Sequence, residues 1–170
     1  MSATDSRIEA ALVGLEHTPS SGPDGIPCIA LEREVLHECL ARLRDRAGFS
    51  TVTFITAIDH FPQEPRYEVS HQLLAVDHAD RVRVVTRVAS ADAQLPTCTD
   101  LWPGASFSER ECFDMFGLQF DGHPDLRRLL MPEGYDHHPL RKDFPHAGIQ
   151  PDRLYREWDR ARRLDWKADA

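Results

Sequence analysis

Residues 66–89 read RYEVSHQLLAVDHADRVRVVTRVA and contain two runs in which apolar and polar side chains alternate. One side of the first run carries Tyr67, Val69, His71, Leu73 and Ala75, and one side of the second carries Val82, Val84, Thr86 and Val88. Strict alternation predicts two strands, over 66–76 and 81–89, each with one buried and one solvent-facing side. The short connection 77–80 predicts that they form an antiparallel hairpin.

The residues before this hairpin predict its neighbours. Residues 51–59 are β-branched and aromatic, which favours a third strand, and 26–30 favour a short one. Residues 31–47 repeat apolar side chains at helical spacing, and Gly48 follows as a C-terminal stop. Strands adjacent in sequence usually pair, so we expect an α+β fold, a small antiparallel sheet covered by helices on one face.

The N-terminal and C-terminal parts of the chain differ in pattern from the predicted strands and helix between them. Residues 4–15 can form a short helix with Ile8, Leu12 and Leu15 on one side, and no element is expected in the linker 18–27. Prolines interrupt nearly every stretch after Gln94, and such irregular segments rarely pack a core of their own. We therefore predict an N-terminal helix and linker (1–25), an α+β domain (26–117) and an extended C-terminal segment with a terminal helix (118–170).

Composition excludes several classes of protein. Hydrophobic residues make up 41% and charged residues 28% of the 170 residues, as in ordinary soluble proteins. No apolar run approaches the roughly 18 residues that span a bilayer, and residues 1–20 lack the pattern of a signal peptide, so we expect neither secretion nor a membrane span. The net charge of −8 argues against a nucleic-acid partner. Residues 1–122 hold 10 Lys+Arg against 19 Asp+Glu, giving −9, and 123–170 hold 10 against 9, giving +1.

Cofactor and catalytic signatures are missing from the sequence. The four cysteines form no CxxC pair, which argues against an iron–sulfur or structural zinc site and favours reduced thiols in a cytosolic context. No GxGxxG, Walker or GxSxG pattern occurs. We expect no catalytic, cofactor-binding or metal-binding residues in this chain.

Histidines near the C-terminus keep one alternative open. They are His123, His137, His138 and His146, with aspartates nearby, but no HExxH spacing is present. Adjacent histidines before Pro139 are typical of a turn. A stand-alone metal-dependent hydrolase that uses His123 to His146 is therefore the alternative from a different functional class.

A charged helix is predicted over 107–116. Ser106 and Glu109 fit a capping box and Gly117 supplies the end. Arg110 and Asp114 lie four residues apart and can pair. Either these groups are solvated and contribute under about 1 kcal/mol, or they pair in a desolvated contact with another segment or subunit, where removing one partner costs roughly 3–5 kcal/mol.

The same region resembles a known family. Glu109-Arg110-Glu111, Asp114-Met115-Phe116, His123, Arg127 and Leu129-Leu130 resemble the signature of the C subunit of respiratory complex I, the 30-kDa subunit family of NADH:quinone oxidoreductase. The segments 100–105 (DLWPGA) and 138–145 (HPLRKDFP) are also similar to that family. Two positions depart from it: Tyr135 replaces a common Trp, and His137 a common Gly.

The resemblance implies a non-catalytic subunit. Such a chain belongs to the peripheral arm of a proton-translocating complex on the cytoplasmic side of the membrane. It scaffolds the D subunit, the large subunit that helps to form the quinone site. It carries no cofactor, while FMN and iron–sulfur centres lie in partner subunits. The equivalent subunit of a membrane-bound hydrogenase-type complex is a close alternative.

The resemblance also marks family-motif residues as the candidate interface. They are Glu109, Arg110, Glu111, Asp114, His123, Arg127, Pro139, Leu140, Arg141, Lys142 and Asp143. Anchors on the extended segment (Phe120, Phe144, Tyr155 and Trp158) are expected to bury themselves against the partner.

Overall fold

The computed structural model describes residues 3–22 and 24–145, together with the single positions 157 and 160. The predicted terminal helix, Tyr155, Trp158 and His146 lie outside the described residues, so those predictions stay untested.

A five-stranded sheet forms the centre of the fold. Its strands are β1 (Thr18–Ser21), β2 (Pro27–Ala30), β3 (Thr51–Asp59), β4 (Tyr67–Ala75) and β5 (Asp80–Val88), in the spatial order β1-β2-β5-β4-β3. The β4–β5 hairpin pairs Tyr67 with Val88 and Ala75 with Asp80, which places the alternating apolar residues of both strands on one face. β2 joins the other side of β5 in parallel, and all other neighbours are antiparallel.

Helices cover one face of this sheet. α1 (Ala3–Ala11) packs on α2 (Arg33–Ala47), α2 lies against β5, and α3 (Ala105–Phe116) lies against β3. α2 buries Leu36, Cys39, Leu40 and Leu43 at the spacing that predicted it. Gly48 ends it with φ 74°, donating its N–H to the Leu43 carbonyl.

Two short strands connect α3 to the rest of the domain. β6 (Gln94–Pro96) pairs in parallel with β7 (Gln119–Asp121), so the chain before α3 and the chain after it run side by side. Leu95 and Phe120 face the common core from these strands. Phe120 was expected to bury itself against a partner, and that expectation is wrong because it is 3% exposed within its own chain.

The α+β prediction is confirmed, with one correction. The linker 18–27 was expected to hold no element, but it contains β1, which pairs with β2 from Thr18 to Ser21. Ile8 of α1 and Leu12, the residue directly after this helix, also belong to the hydrophobic core. The proposed division at residues 25 and 117 stays a prediction, although the core draws side chains from both sides of each boundary. Among the described residues, no helix is both long and apolar enough to cross a bilayer.

Candidate partner-binding site

The charged helix begins earlier than its predicted capping box. α3 starts at Ala105, and its N-cap Gly104 makes no side-chain capping bond. The Ser106 hydroxyl instead lies 3.2 Å from Nε2 of His123. The predicted Ser106–Glu109 capping box is therefore wrong, because both side chains have partners outside the helix.

Glu109 points into the core. It is fully buried, and its carboxylate accepts the Cys98 N–H at 2.8 Å and the Thr97 hydroxyl at 2.5 Å. The Cys98 thiol lies 3.2 Å from the same carboxylate. Burial, and then the charge of Glu109, raise the pKa of this thiol, so it stays protonated and can donate. Glu109 thus joins α3 to the segment that follows β6.

Asp114 holds the C-terminal arm, which comprises residues 123–145. One carboxylate oxygen accepts the N–H groups of Leu129, Leu130 and Met131 at 3.0, 2.7 and 2.8 Å. The other accepts Arg128 Nη1 at 2.6 Å. Burial alone would raise the pKa of Asp114, but the three N–H groups and Arg128 outweigh it and lower the pKa.

Arg110 does not pair with Asp114. Its guanidinium donates to the backbone carbonyls of Arg127 and Arg128 at 3.1 and 3.0 Å. Two side chains of α3 therefore bind neighbouring parts of one loop. Arg110 donates to the carbonyl groups of the loop, and Asp114 accepts from its N–H groups. The desolvated alternative describes Asp114 correctly, since this carboxylate is 0% exposed and its charged partner is Arg128 of the arm.

The arm also satisfies the exposed end of α3. The last carbonyl groups of a helix have no partners within it. Here the Asp114 carbonyl accepts His138 Nδ1 at 2.9 Å, the Met115 carbonyl accepts the Leu140 N–H at 3.1 Å, and the Phe116 carbonyl accepts Arg141 Nε at 2.5 Å. The cationic Arg141 also complements the negative end of the helix dipole.

A second carboxylate fixes the end of the arm. Asp59, the last residue of β3, is 3% exposed and binds Arg66 through both oxygens, at 2.9 and 2.8 Å. It also accepts the N–H groups of Phe61 and Lys142 at 2.9 and 2.8 Å. Arg66 in turn binds Asp143 at 2.7 and 3.0 Å. Burial opposes ionisation of Asp59, but the hydrogen bonds from Arg66 and the two N–H groups prevail and lower its pKa.

The remaining motif residues occupy the surface of the arm and α3. Arg127 is mostly exposed and pairs with Asp125 at 2.8 Å, and Pro139 lies half-buried within the turn. Glu111 is half-buried. Of the C-terminal histidines that the structure describes, His123 contacts Ser106, His138 binds the end of α3, and the His137 ring contacts Tyr135 and Phe144.

Sequence reasoning missed four residues of this arrangement. The sequence carried a signal for Asp59, because alternation along β3 places it on the core-facing side together with Ile55 and Ala57. Arg66 is the residue directly before β4, whose first residue, Tyr67, is buried. Arg128 was overlooked beside Arg127. Gly117 was assigned only as a helix stop, yet a Cβ there would overlap the Arg141 guanidinium and lie 2.7 Å from the His138 ring.

These contacts perform a structural task. Carboxylates, arginines and backbone groups bind one another at hydrogen-bond distance, which fixes the arm on α3 and on the β3–β4 end of the sheet. The buried carboxylates Glu109, Asp114 and Asp59 are all matched by donors of the same chain, and this is the condition under which buried charges are tolerated. The arrangement holds a defined surface, as a protein-binding site requires.

Comparison with known proteins agrees with the resemblance. The profile of the family "Respiratory-chain NADH dehydrogenase, 30 Kd subunit" matches residues 29–150. The NADH-quinone oxidoreductase C subunit of Citrifermentans bemidjiense is 40% identical over 74% of this chain and 76% of its own length. The second NADH-quinone oxidoreductase C/D subunit of Aquifex aeolicus is 43% identical over 70% of this chain and 20% of its own length.

A solved structure supports the same relationship. The trypsin-resistant fragment (1-134) of Nqo5 superposes with a TM-score of 0.65 and 30% identity, over 72% of this chain and 99% of that fragment. Fold, family profile and relatives therefore agree. The chain belongs to the family of the 30-kDa subunit of respiratory-chain NADH dehydrogenase, whose bacterial members include the C subunit of NADH-quinone oxidoreductase.

Proposed function

We propose that this chain is a non-catalytic peripheral-arm subunit of a proton-translocating NADH:quinone oxidoreductase. The whole complex passes electrons from NADH through FMN and iron–sulfur centres to quinone, and those cofactors belong to partner subunits. This chain scaffolds the D subunit on the cytoplasmic side of the membrane. The relative whose name joins C and D supports the D subunit as the main partner.

The single observation that carries this proposal is the internal pairing of the motif. Asp114 uses both oxygens on four donors of the arm, and Asp59 uses both on Arg66 and two backbone N–H groups. A carboxylate saturated by its own chain is poorly suited to act as a general base or a metal ligand. It is well suited to fix the shape of a surface that another protein binds.

The test is affinity purification of the full-length chain from detergent-solubilised membranes. We expect the D subunit and the NADH- and flavin-binding subunits to co-purify, and the complex to show flavin and iron–sulfur absorbance. The separately purified chain is expected to be colourless. Co-purification with hydrogenase-type subunits, or a stoichiometric flavin or metal in the isolated chain, would contradict the proposal.

A further inference from the structure

Two polar side chains lie in the hydrophobic core without a hydrogen-bond partner among the described residues. His71 of β4 is fully buried, and both of its ring nitrogens lack a partner there. Thr86 of β5 is 1% exposed, and its hydroxyl lacks one too. Buried polar groups in folded proteins are nearly always hydrogen-bonded, either to the protein or to an ordered water molecule. The two side chains therefore point to a bound partner inside the core.

The strand register places these two groups next to each other. β4 and β5 are antiparallel, with Val69 opposite Thr86 and His71 opposite Val84. His71 and Thr86 are therefore diagonal neighbours on the core-facing side of the sheet, a relation in which residues of adjacent strands lie about 7–8 Å apart. Their side chains do not bind each other directly. This separation suits one small molecule that contacts both.

The site lies beneath the groove between two helices. α2 lies against β5 and α3 lies against β3. β4 runs between β5 and β3, so its core-facing side chains lie under the space between the helices. Because His71 and Thr86 are almost completely inaccessible, the occupant of this site is separated from bulk solvent.

The chemistry of the two side chains selects water as the occupant. Burial lowers the pKa of His71 to about 4, so the ring is neutral at pH 7 and has one N–H donor and one acceptor nitrogen. The Thr86 hydroxyl can also donate and accept. A metal ion needs more ligands, and the described residues contain no group of three His, Cys, Asp or Glu side chains that could hold one. An internal water needs two to four polar partners, and one ring nitrogen and one hydroxyl supply two.

We propose that the core holds one internal water molecule, which bridges a ring nitrogen of His71 and the hydroxyl of Thr86. This water supplies hydrogen bonds that the two groups do not obtain from the described residues. It also joins the side chains of β4 and β5 beyond the hydrogen bonds of the strand ladder. Internal waters of this kind are part of the structure and are costly to remove. The inference concerns the core and does not depend on the proposed function.

The sign of the effect of Thr86→Val on stability tests the site. Valine is close to threonine in shape but has no hydroxyl. If the hydroxyl binds the water, the variant loses a hydrogen bond, and urea titration at pH 7 should show an unfolding equilibrium constant about fivefold higher. A hydroxyl buried without any partner would instead be unfavourable, so a variant more stable than the wild type overturns the proposal. The matched control is Thr56→Val, on the side of β3 that faces away from the core, and it should change the constant by about twofold at most.

The double variant His71→Leu/Thr86→Val tests whether both side chains share the water. Each single change removes the same molecule, so the second change should add less than it does alone. Additive losses in the double variant would mean that the two side chains have separate partners, and they overturn the bridge.

A high-resolution crystal structure of the wild-type chain gives a readout that does not depend on a variant folding. We expect one ordered water within about 3.2 Å of both Oγ1 of Thr86 and one ring nitrogen of His71. Electron density for a water that contacts only one of the two side chains overturns the bridge. A site without density, or one filled by a protein side chain, overturns the proposal.

Discussion

The Asp114 carboxylate is the point at which α3 and the arm are joined most closely. It is 0% exposed and accepts one charged and three backbone donors. An exposed pair four residues apart on a helix contributes only about 0.3–0.5 kcal/mol. The stronger set of donors explains why Asp114 turns away from Arg110.

Asp114→Asn is expected to destabilise the domain strongly. An amide has one acceptor oxygen, so its NH2 group must face either Arg128 or the N–H groups of the arm. Arg128, 14% exposed, would keep its charge without a counterion, a loss of about 3–5 kcal/mol. Urea unfolding measures it. Glu111→Gln, at a half-buried carboxylate of the same helix, is the matched control and should cost less than about 1 kcal/mol. Equal losses in the two variants would contradict the assignment.

His71 makes the stability of the domain depend on pH. It is fully buried on β4, neither ring nitrogen has a hydrogen-bond partner within the described residues, and burial lowers its pKa to about 4. In the unfolded chain its pKa is about 6.5. Between these values the unfolded state binds a proton that the folded state does not, so stability falls as pH falls.

We expect a loss of about 1 kcal/mol between pH 7 and pH 5.5 from this one histidine. Denaturant titrations at several pH values measure it. His71→Leu should remove this part of the pH dependence, whereas His78→Leu, at an exposed turn, should keep the wild-type slope. Acidic groups with lowered pKa values, such as Asp59 and Asp114, add their own loss only at lower pH, below about 5. An unchanged slope in His71→Leu would show that this ring is not desolvated as described.

At the scale of elements, the end of α3 depends on its glycine. Gly117 has φ 79°, and a Cβ there would overlap Arg141 and approach His138, the two side chains that bind the helix carbonyls. Gly14 has the same φ of 79° but nothing within 4 Å of its Cβ position. The two glycines therefore separate backbone strain from displacement of the arm.

Gly14→Ala is expected to cost about 1–2 kcal/mol, the strain of a left-handed alanine. Gly117→Ala carries that strain and also displaces Arg141 and His138, so we expect about 2 kcal/mol more, the loss of one or two hydrogen bonds that cap the helix. Thermal unfolding of both variants compares them directly. The interpretation fails if the two variants unfold at the same temperature.

Local patterns predicted the elements, and long-range contacts could not be predicted. Alternation placed β4 and β5 within one residue at each end, and helical spacing placed α2. β1 was not predicted, because Thr-Pro-Ser-Ser has no apolar alternation and forms a strand only through its pairing with β2. The capping box failed because Glu109 finds its donors 11 and 12 residues upstream. Asp59 and Lys142 are 83 residues apart, and no periodicity in the sequence relates them.

At the scale of the whole molecule, hydrogen bonds and ion pairs tie the arm to α3 and to the β3–β4 end of the sheet. Residues 138–143 satisfy the end of α3, the Asp59 carboxylate and the Arg66 guanidinium. The body and the arm therefore depend on each other for buried polar partners. The partner-binding role predicted for residues 118–170 stays a prediction, and the part of it that lies beyond residue 145 can be tested separately from the role of the arm.

Two truncated chains separate the role of the arm from the role of the residues beyond 145. The chain 1–145 keeps the contacts that the arm makes with α3, Asp59 and Arg66, so we expect its melting temperature to match that of the full chain. The chain 1–137 loses the partners of Asp59 and Arg66 that lie in the arm, together with the bonds at the end of α3. Stranding part of this buried network is expected to cost about 3–5 kcal/mol.

Binding to the D subunit should follow a different order. The chain 1–145 retains the arm but lacks residues 146–170, so we expect it to bind this partner more weakly than the full chain without losing binding altogether. The chain 1–137 also lacks residues 138–145 of the arm and should bind most weakly, even at a temperature at which it is folded. Thermal unfolding and titration with the D subunit measure the two effects on the same samples. If 1–137 melts like the full chain, the arm does not stabilise the domain; if 1–145 binds the D subunit with full affinity, residues 146–170 do not hold the partner.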